Sequence, residues 1–588
     1  MSLASRLQRL IPDLSNTVAR FPGAVLVSLT LTVLVNLDIA SESLFEAETF
    51  ERLLRANLAA FAAAGAGHLY AEGRRWPQGW GFATSIAAAL VAAAMFWFAH
   101  PIELRMEYFA AGLVLLLMTA AYIRPDARQG ALWLFNFRLL FSALVAAVVT
   151  VATCGGLSAI VASLHFLFDF PVSSDTYSHI WATGASLIAP LYGMSLISPD
   201  LDEEFDATRH GDPIISHGVS VLSNYILVPL ALVYVVILHA YALKIVLTGE
   251  LPKGMVANLV CLFGLGGTAI YLIAYPWRDT GTRLLRWYLR SWFWFTIVPV
   301  VLLTVAVWRR VSDYGLTPER YGLIIIAVWL AAMAAYLAWK RGRADLRVIM
   351  LSLAGLLLLG SVGPWGAQGA SITSQFGRLE TLLARLGYLK DERLVSPRPT
   401  NIAAGSGDAN SVGSIIWFLI NEKADDRLRP WFEGHPADPW KSADRSNLGT
   451  KLSELLGVPV APDPKLYSRY VSFSATEPHV FSLPANSVLS GPVRLSPVGA
   501  PESVPKPGDP MTVNRGATID IVYGTRVWTV TTLDLVKQLD DKSAPAVRSL
   551  VVDGPAGQLT IIVEAAYGED KDDTTVLNSG TFWLILPQ

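Results

Sequence analysis

Between residues 21 and 362 the chain keeps returning to apolar runs long enough to cross a bilayer as a helix. A hydrocarbon core of about 30 Å takes roughly 20 residues of α-helix, and a helix satisfies its own backbone groups where no water can. Ten runs are clear: 21–40, 82–99, 108–123, 131–167, 177–197, 219–248, 255–275, 291–308, 321–338 and 346–362. An eleventh, residues 56–71, is short and alanine-rich. Composition agrees, since only 16% of the 588 residues are charged, against roughly 25% in soluble domains. The fold expected is an α-helical polytopic membrane domain of about 11 spans.

Loop charge gives an orientation, because Lys and Arg concentrate on the cytoplasmic side. With eleven spans and the N-terminus inside, the tail and even-numbered loops carry 16 Lys+Arg, including Arg20, Arg74, Arg75, Arg124, Arg128, Arg278, Arg283, Arg286, Arg290 and Arg347. The other side carries 6, or 8 if Arg52 and Arg55 are counted there. Dropping residues 56–71 would break both parity and bias. No small-x-small site follows the first run, so it is expected to stay as an uncleaved span. Trp76, Trp80, Trp277, Trp287, Trp292, Trp308, Trp339 and Trp365 fall near span ends, where amphipathic rings collect. The expected location is a bacterial cytoplasmic (inner) membrane, with the N-terminus cytoplasmic and the C-terminal domain extracytoplasmic.

The charge changes character after residue 370. Up to there the chain has 25 Lys+Arg and 23 Asp+Glu; beyond it, 21 and 25 in far fewer residues. Neither part has the basic stripe a nucleic acid requires. Residues 371–389 repeat Ile372, Phe376, Leu379, Leu382, Leu383 and Leu386 at helical spacing, and 396–410 form a Pro/Gly/Ser-rich linker. After Pro464 the pattern alternates as strands, at 467–473, 480–483, 518–522, 526–531, 547–552, 558–564 and 581–586, separated by turn residues. Three parts are expected: a polytopic helical domain over 1–370, a helical connector over 371–460, and a β-rich extracytoplasmic domain over 461–588. The extramembrane part is α+β and mainly β.

Candidate chemistry is sparse. The loop Asp200-Leu-Asp202-Glu203-Glu204-Phe-Asp206, continuing to His210 and His217, is either a solvated acidic loop or a metal or proton site formed by Asp202, Asp206, His210 and His217. Its spacing matches no known metal motif. In the seventh run Asn224, Tyr225 and His239 would line a cavity or bond between helices, and Lys244 would snorkel. Gly155-Gly156 reads as a close-packing or hinge point. Gly264-Leu-Gly266-Gly267-Thr268 lies inside a span and reads as helix packing, not a phosphate loop. Thr317-Pro318 is a helix start. Cys154 and Cys261 sit in apolar runs, so no disulfide framework or zinc ribbon is expected. No cofactor motif and no nucleophile elbow is found, so catalytic residues are not assigned and a non-enzymatic role is favoured.

Several stretches together resemble a known family. They are Arg20-Phe21-Pro22, Gly155-Gly156-Leu157, Pro190-Leu191-Tyr192, Tyr225-Ile-Leu-Val-Pro229-Leu230, Leu251-Pro252-Lys253-Gly254, Arg310-Val311-x-x-Tyr314-Gly315-Leu316-Thr317-x-x-Arg320-Tyr321 and Ser371-x-x-Ser374-Gln375-x-x-Arg378-Leu379. Over about 20–390 they resemble the bacterial multi-pass membrane family known as domain of unknown function 4153. The resemblance implies a bacterial cytoplasmic membrane and brings no catalytic residues. The role expected is an envelope binding, scaffold or sensing protein, with envelope proteins or lipid-linked molecules as partners beside the bilayer. A secondary transporter or lipid translocator is the alternative, and a membrane-embedded transferase acting on a lipid-linked substrate the second.

Overall fold

The computed structural model describes residues 14–40, 45–98, 105–205, 214–249, 255–340, 344–390, 393–395, 407–433, 438–441, 448–458, and strands between 469 and 587. Compactness divides the chain into two units. One holds residues 1–380 with 422–426, the other 381–421 with 427–588.

The first unit is helical. Its elements are α1 (Leu14–Arg20), α2 (Pro22–Ala40), α3 (Ala47–Gly73), α4 (Gln78–Phe98), α5 (Met106–Thr119) and α6 (Gln129–Phe168). Next come α7 (Ser174–Thr183) and α8 (Ala189–Ser195), joined by a π-helical turn at Gly184–Ile188. Two further π segments, Ile214–Val219 and Leu222–Leu227, lead into α9 (Val228–Thr248). Then follow α10 (Met255–Ala274), α11 (Arg283–Tyr314), α12 (Pro318–Trp339), α13 (Leu346–Ser361) and α14 (Ala367–Arg385). Among the described residues seven helices are long and apolar enough to cross a membrane. The segments Met106–Tyr122 and Leu346–Ser361 are apolar but shorter. The outer faces of the long helices are apolar: Leu164, Phe166, Leu230, Val246 and Leu247 are all exposed. Water would make that face costly, whereas acyl chains suit it.

Residues 56–71, weak as an apolar run, form part of the 27-residue α3, a helix of roughly 40 Å. Alanine makes the run look weak on a hydropathy count and makes it pack closely. Thr84 Oγ1 donates to the Gly67 carbonyl at 2.9 Å and Ser85 Oγ to the Ala64 carbonyl at 2.9 Å, so α4 lies almost backbone to backbone against α3.

Hydrogen bonds show which helix ends meet. At one end, Arg20 bonds Glu72 (3.0 Å) and the Ile197 and Ser198 carbonyls (2.7 and 2.9 Å). There too Arg347 reaches the Arg124 carbonyl (2.6 Å) and Trp133 the Ile273 carbonyl (3.2 Å). At the other end of the helices Arg105 faces Glu107, Glu319 and Glu422, and Lys423 pairs with Glu48 at 2.7 Å. Tyr108 donates to the Pro318 carbonyl (2.7 Å), and Gln375 to the carbonyls of Tyr314 and Leu316 (3.0 Å each).

Glycine and aromatic packing centre on α10–α12. A Cβ on Gly267 would meet the Trp292 ring and one on Gly264 would meet Leu330, so the reading of this stretch as helix packing holds. Close packing at Gly155-Gly156 does not: a Cβ at either would touch nothing within 4 Å. Trp292 is also no interfacial ring. It is fully buried, with Nε1 donating to Thr268 Oγ1 at 3.2 Å. Thr317 caps α12, accepting from the Arg320 amide, with Pro318 as first helical residue.

The second unit carries helix α15 (Gly407–Asn421), whose Val412, Ile416 and Leu419 are buried, and helix α16 (Leu448–Leu456). A two-residue hairpin joins β1 (Leu389–Lys390) and β2 (Arg393–Leu394). Strands β3 (Arg469–Ser474), β4 (Ser487–Leu495), β8 (Arg548–Gly554), β9 (Gly557–Lys571) and β10 (Thr574–Pro587) make one antiparallel sheet, and β5 (Met511–Arg515), β6 (Thr518–Tyr523) and β7 (Arg526–Thr531) a second. β9 is its spine. One edge takes β8 along residues 557–563 and β3 along 565–570, while the other edge takes β10. Trp528 on β7 is buried and donates to the Gly557 carbonyl at 2.9 Å, linking the sheets. The strand expected at 480–483 lies outside the described residues.

Candidate functional site

The acidic loop after α8 closes over the basic helix ends. Arg124, only 8% exposed, donates to the Gly73 carbonyl at 2.8 Å and to Asp202. Arg75 reaches the other Asp202 oxygen at 2.9 Å. Glu203 takes a two-pronged bond from Arg138 at 2.5 and 2.7 Å, and Glu204 faces Arg128 at 3.5 Å. Such bidentate guanidinium–carboxylate pairs fix geometry as well as charge. The hydrogen bond from Arg75, with Arg124 adding to it and burial opposing, holds the Asp202 carboxyl below its ordinary range. Asp202 is thus a two-arginine clamp. Asp206 and His210 lie outside the described residues; His217 is exposed on the π segment before α9. Among the described residues no group of three or more His, Cys, Asp or Glu could hold a metal ion.

The intramembrane candidates do not converge. Asn224 is buried, donating to the Ser220 carbonyl at 2.8 Å and accepting from the Thr282 amide at 2.9 Å. It ties the segment before α9 to the residue that caps α11, Thr282, whose own hydroxyl accepts from the Leu285 amide. Tyr225, the next residue, is 68% exposed on the outer face. His239 Nδ1 bonds the Val235 carbonyl one turn back at 2.8 Å. Lys244 is exposed near the end of α9.

Sequence reasoning missed a cavity of about 300 Å³ between α2, α3, α6 and α8, lined by Phe21, Phe61, Leu69, Leu117, Leu139 and Met194 with Ser142 as a polar contact. It missed a second of about 900 Å³ near the start of α11. The Arg20-Phe21-Pro22 stretch pointed toward the first, since Arg20 anchors the helix end from which Phe21 faces the cavity.

A family model described as domain of unknown function (DUF4153) matches residues 24–375. A protein of Pasteurella multocida (strain Pm70), described as an uncharacterized protein, PM1469, is 26% identical over 326 residues, covering 53% of this chain and 52% of the relative. The chain thus matches about half the length of that curated relative. No solved structure matches. With the matched region taking in more than half of the sequence and nearly all of the helical unit, the chain belongs to the family described as domain of unknown function (DUF4153).

Proposed function

We propose that this is a multi-pass protein of the bacterial cytoplasmic membrane whose helical unit anchors an extracytoplasmic, β-rich binding or sensing unit. The observation that carries the reading is the sorting of helix ends. Arg20, Arg75, Arg124, Arg138 and Arg347 are bonded at one end, while Glu48, Arg105, Tyr108 and Gln375 mark the other. This alternation favours eleven crossings, with α3, α5, the α7–α8 pair and α13 counted beside the seven longer spans. The arginine-rich end is then cytoplasmic. The part of α14 within the helical unit, and Glu422–Asp426, belong to the opposite end. A reporter active only outside the cytoplasm, fused after residue 370 and again after residue 588, is expected to be active at both positions. Inactivity at both means an even number of crossings and overturns the orientation.

A second reading, lipid translocation, is favoured by the apolar cavity beside Phe21 and Met194, whose about 300 Å³ accommodates part of an acyl chain. Deleting residues 396–588 abolishes function in the binding reading. In the translocation reading, bulky substitution at Ala146, which lines that cavity, abolishes function instead. Asn224 and His239, bonded within the bundle, are read as structural in both.

A further inference from the structure

The cavity of about 900 Å³ lies where α10 ends, α11 begins and α12 ends, and its charge is lopsided. Arg278, Arg286 and Arg290 line it, with Asp279 as the sole carboxylate in the lining. Arg278 is already held, by Asp279 at 3.2 Å and by the Tyr275 hydroxyl, with its guanidinium over the Tyr275 ring. Arg286 and Arg290 are one turn apart on α11 and have no side-chain hydrogen-bond or ion-pair partner among the described residues. Like charges four residues apart on a helix repel one another, so their placement becomes favourable once an anion sits between them. Topogenic arginines need only lie near a helix end. These two open into a cavity whose lining also holds apolar surface: Leu289 and the 54% exposed Trp294, one further turn along α11, and Leu337 on α12.

We propose that this cavity binds the phosphate of a membrane lipid, with Arg286 and Arg290 as the phosphate ligands, Arg278 as the positioned third cation, and Trp294 and Leu337 against the glycerol and upper acyl chain. The chemistry is a phosphate mono- or diester anion joined to an apolar tail. Basic pockets between membrane helices recognise such headgroups, and guanidinium forks match phosphate oxygens in pairs. The inference does not depend on which side of the membrane holds the second unit.

The test uses the full-length protein in nanodiscs of phosphatidylcholine doped with phosphatidylglycerol brominated at carbons 6 and 7, with brominated phosphatidylcholine as reference. Excess tryptophan quenching by the anionic lipid is expected in the parent protein and absent in Trp294→Phe, which keeps every charge. Arg286→Gln/Arg290→Gln is expected to weaken the anionic preference about thirtyfold, from about 1 kcal/mol per cation. Arg283→Gln/Lys340→Gln, the same charge change at the same end but outside the cavity lining, should leave it within about threefold. Equal losses in both double variants mean diffuse surface charge and overturn the site, as does quenching that survives Trp294→Phe. Millimolar inorganic phosphate abolishing the excess quenching would identify a free-phosphate site and overturn the lipid assignment.

Discussion

Two neighbouring regions at the arginine-rich end of the helical unit use the same residue in opposite ways. Around α3, α6 and the acidic loop, Arg20, Arg75, Arg124, Arg138 and Arg347 are each bonded to carboxylates or helix-end carbonyls. Around the start of α11, Arg286 and Arg290 face a cavity instead. A guanidinium bonded to three helix ends is part of the framework, and its loss leaves carbonyls and carboxylates stranded. One that ends in an open cavity adds nothing to the framework and is available to a ligand. Position in the sequence is the same in kind for both, since all lie near helix ends; only the fold separates them.

The sharpest break of this contrast is Arg124→Ala against Arg290→Gln. The first strands the Gly73 carbonyl and one side of Asp202 and should destabilise by about 3 kcal/mol; the second should cost less than about 0.5 kcal/mol. Thermal unfolding in detergent measures both, and equal shifts would erase the distinction drawn between the two regions. Glycines extend the contrast to packing. Gly267→Ala drives a methyl into the buried Trp292 ring and should cost about 2 kcal/mol. Gly155→Ala meets nothing and should be neutral or mildly stabilising.

Acidification probes the bonded region through Asp202. The Asp202 carboxyl titrates below its ordinary value because Arg75 and Arg124 hold it ionised. A group with a depressed folded pKa contributes its full stabilisation above the unfolded value, about 3.9 for Asp. That contribution drains as pH falls from there through the lower folded value. Unfolding temperatures measured from pH 7 to pH 3 should therefore fall more steeply for the parent protein than for Asp202→Asn, and parallel curves would remove the clamp. The smallest effects belong to the α9 segment. Asn224→Ala leaves the Thr282 amide unbonded and should cost about 1 kcal/mol, while Tyr225→Phe, on the exposed face, should change stability by less than about 0.5 kcal/mol.

What the sequence revealed was whatever is local. Apolar runs, the Thr317-Pro318 start and the helical spacing of Leu379, Leu382 and Leu383 are written within a few residues of each other, and so are the strands at 518–523 and 526–531. What it hid was whatever joins distant segments. The Asp202 loop reads as either a solvated acidic loop or a metal or proton site because its arginine partners lie 78 and 127 residues away. For Asn224 the sequence leaves open a cavity lining or a bond between helices, because the amide it accepts from is 58 residues on. Arg286 and Arg290 were visible, but as two more counts toward orientation. Gly155-Gly156 and Gly267 look equally like packing sites until the neighbouring helix is known.

The order of strands in the larger sheet carries a consequence for biogenesis. β9 joins β3, β8 and β10, and β9 and β10 follow in the chain every strand they bring together. As the polypeptide emerges from the ribosome, β3 and β4 wait about a hundred residues for their partners. For that interval their edges are unpaired, exposed to proteases and to pairing with other chains. A nascent chain released before β9 is therefore expected to be protease-sensitive, and one released after β10, which alone pairs β4, protease-resistant.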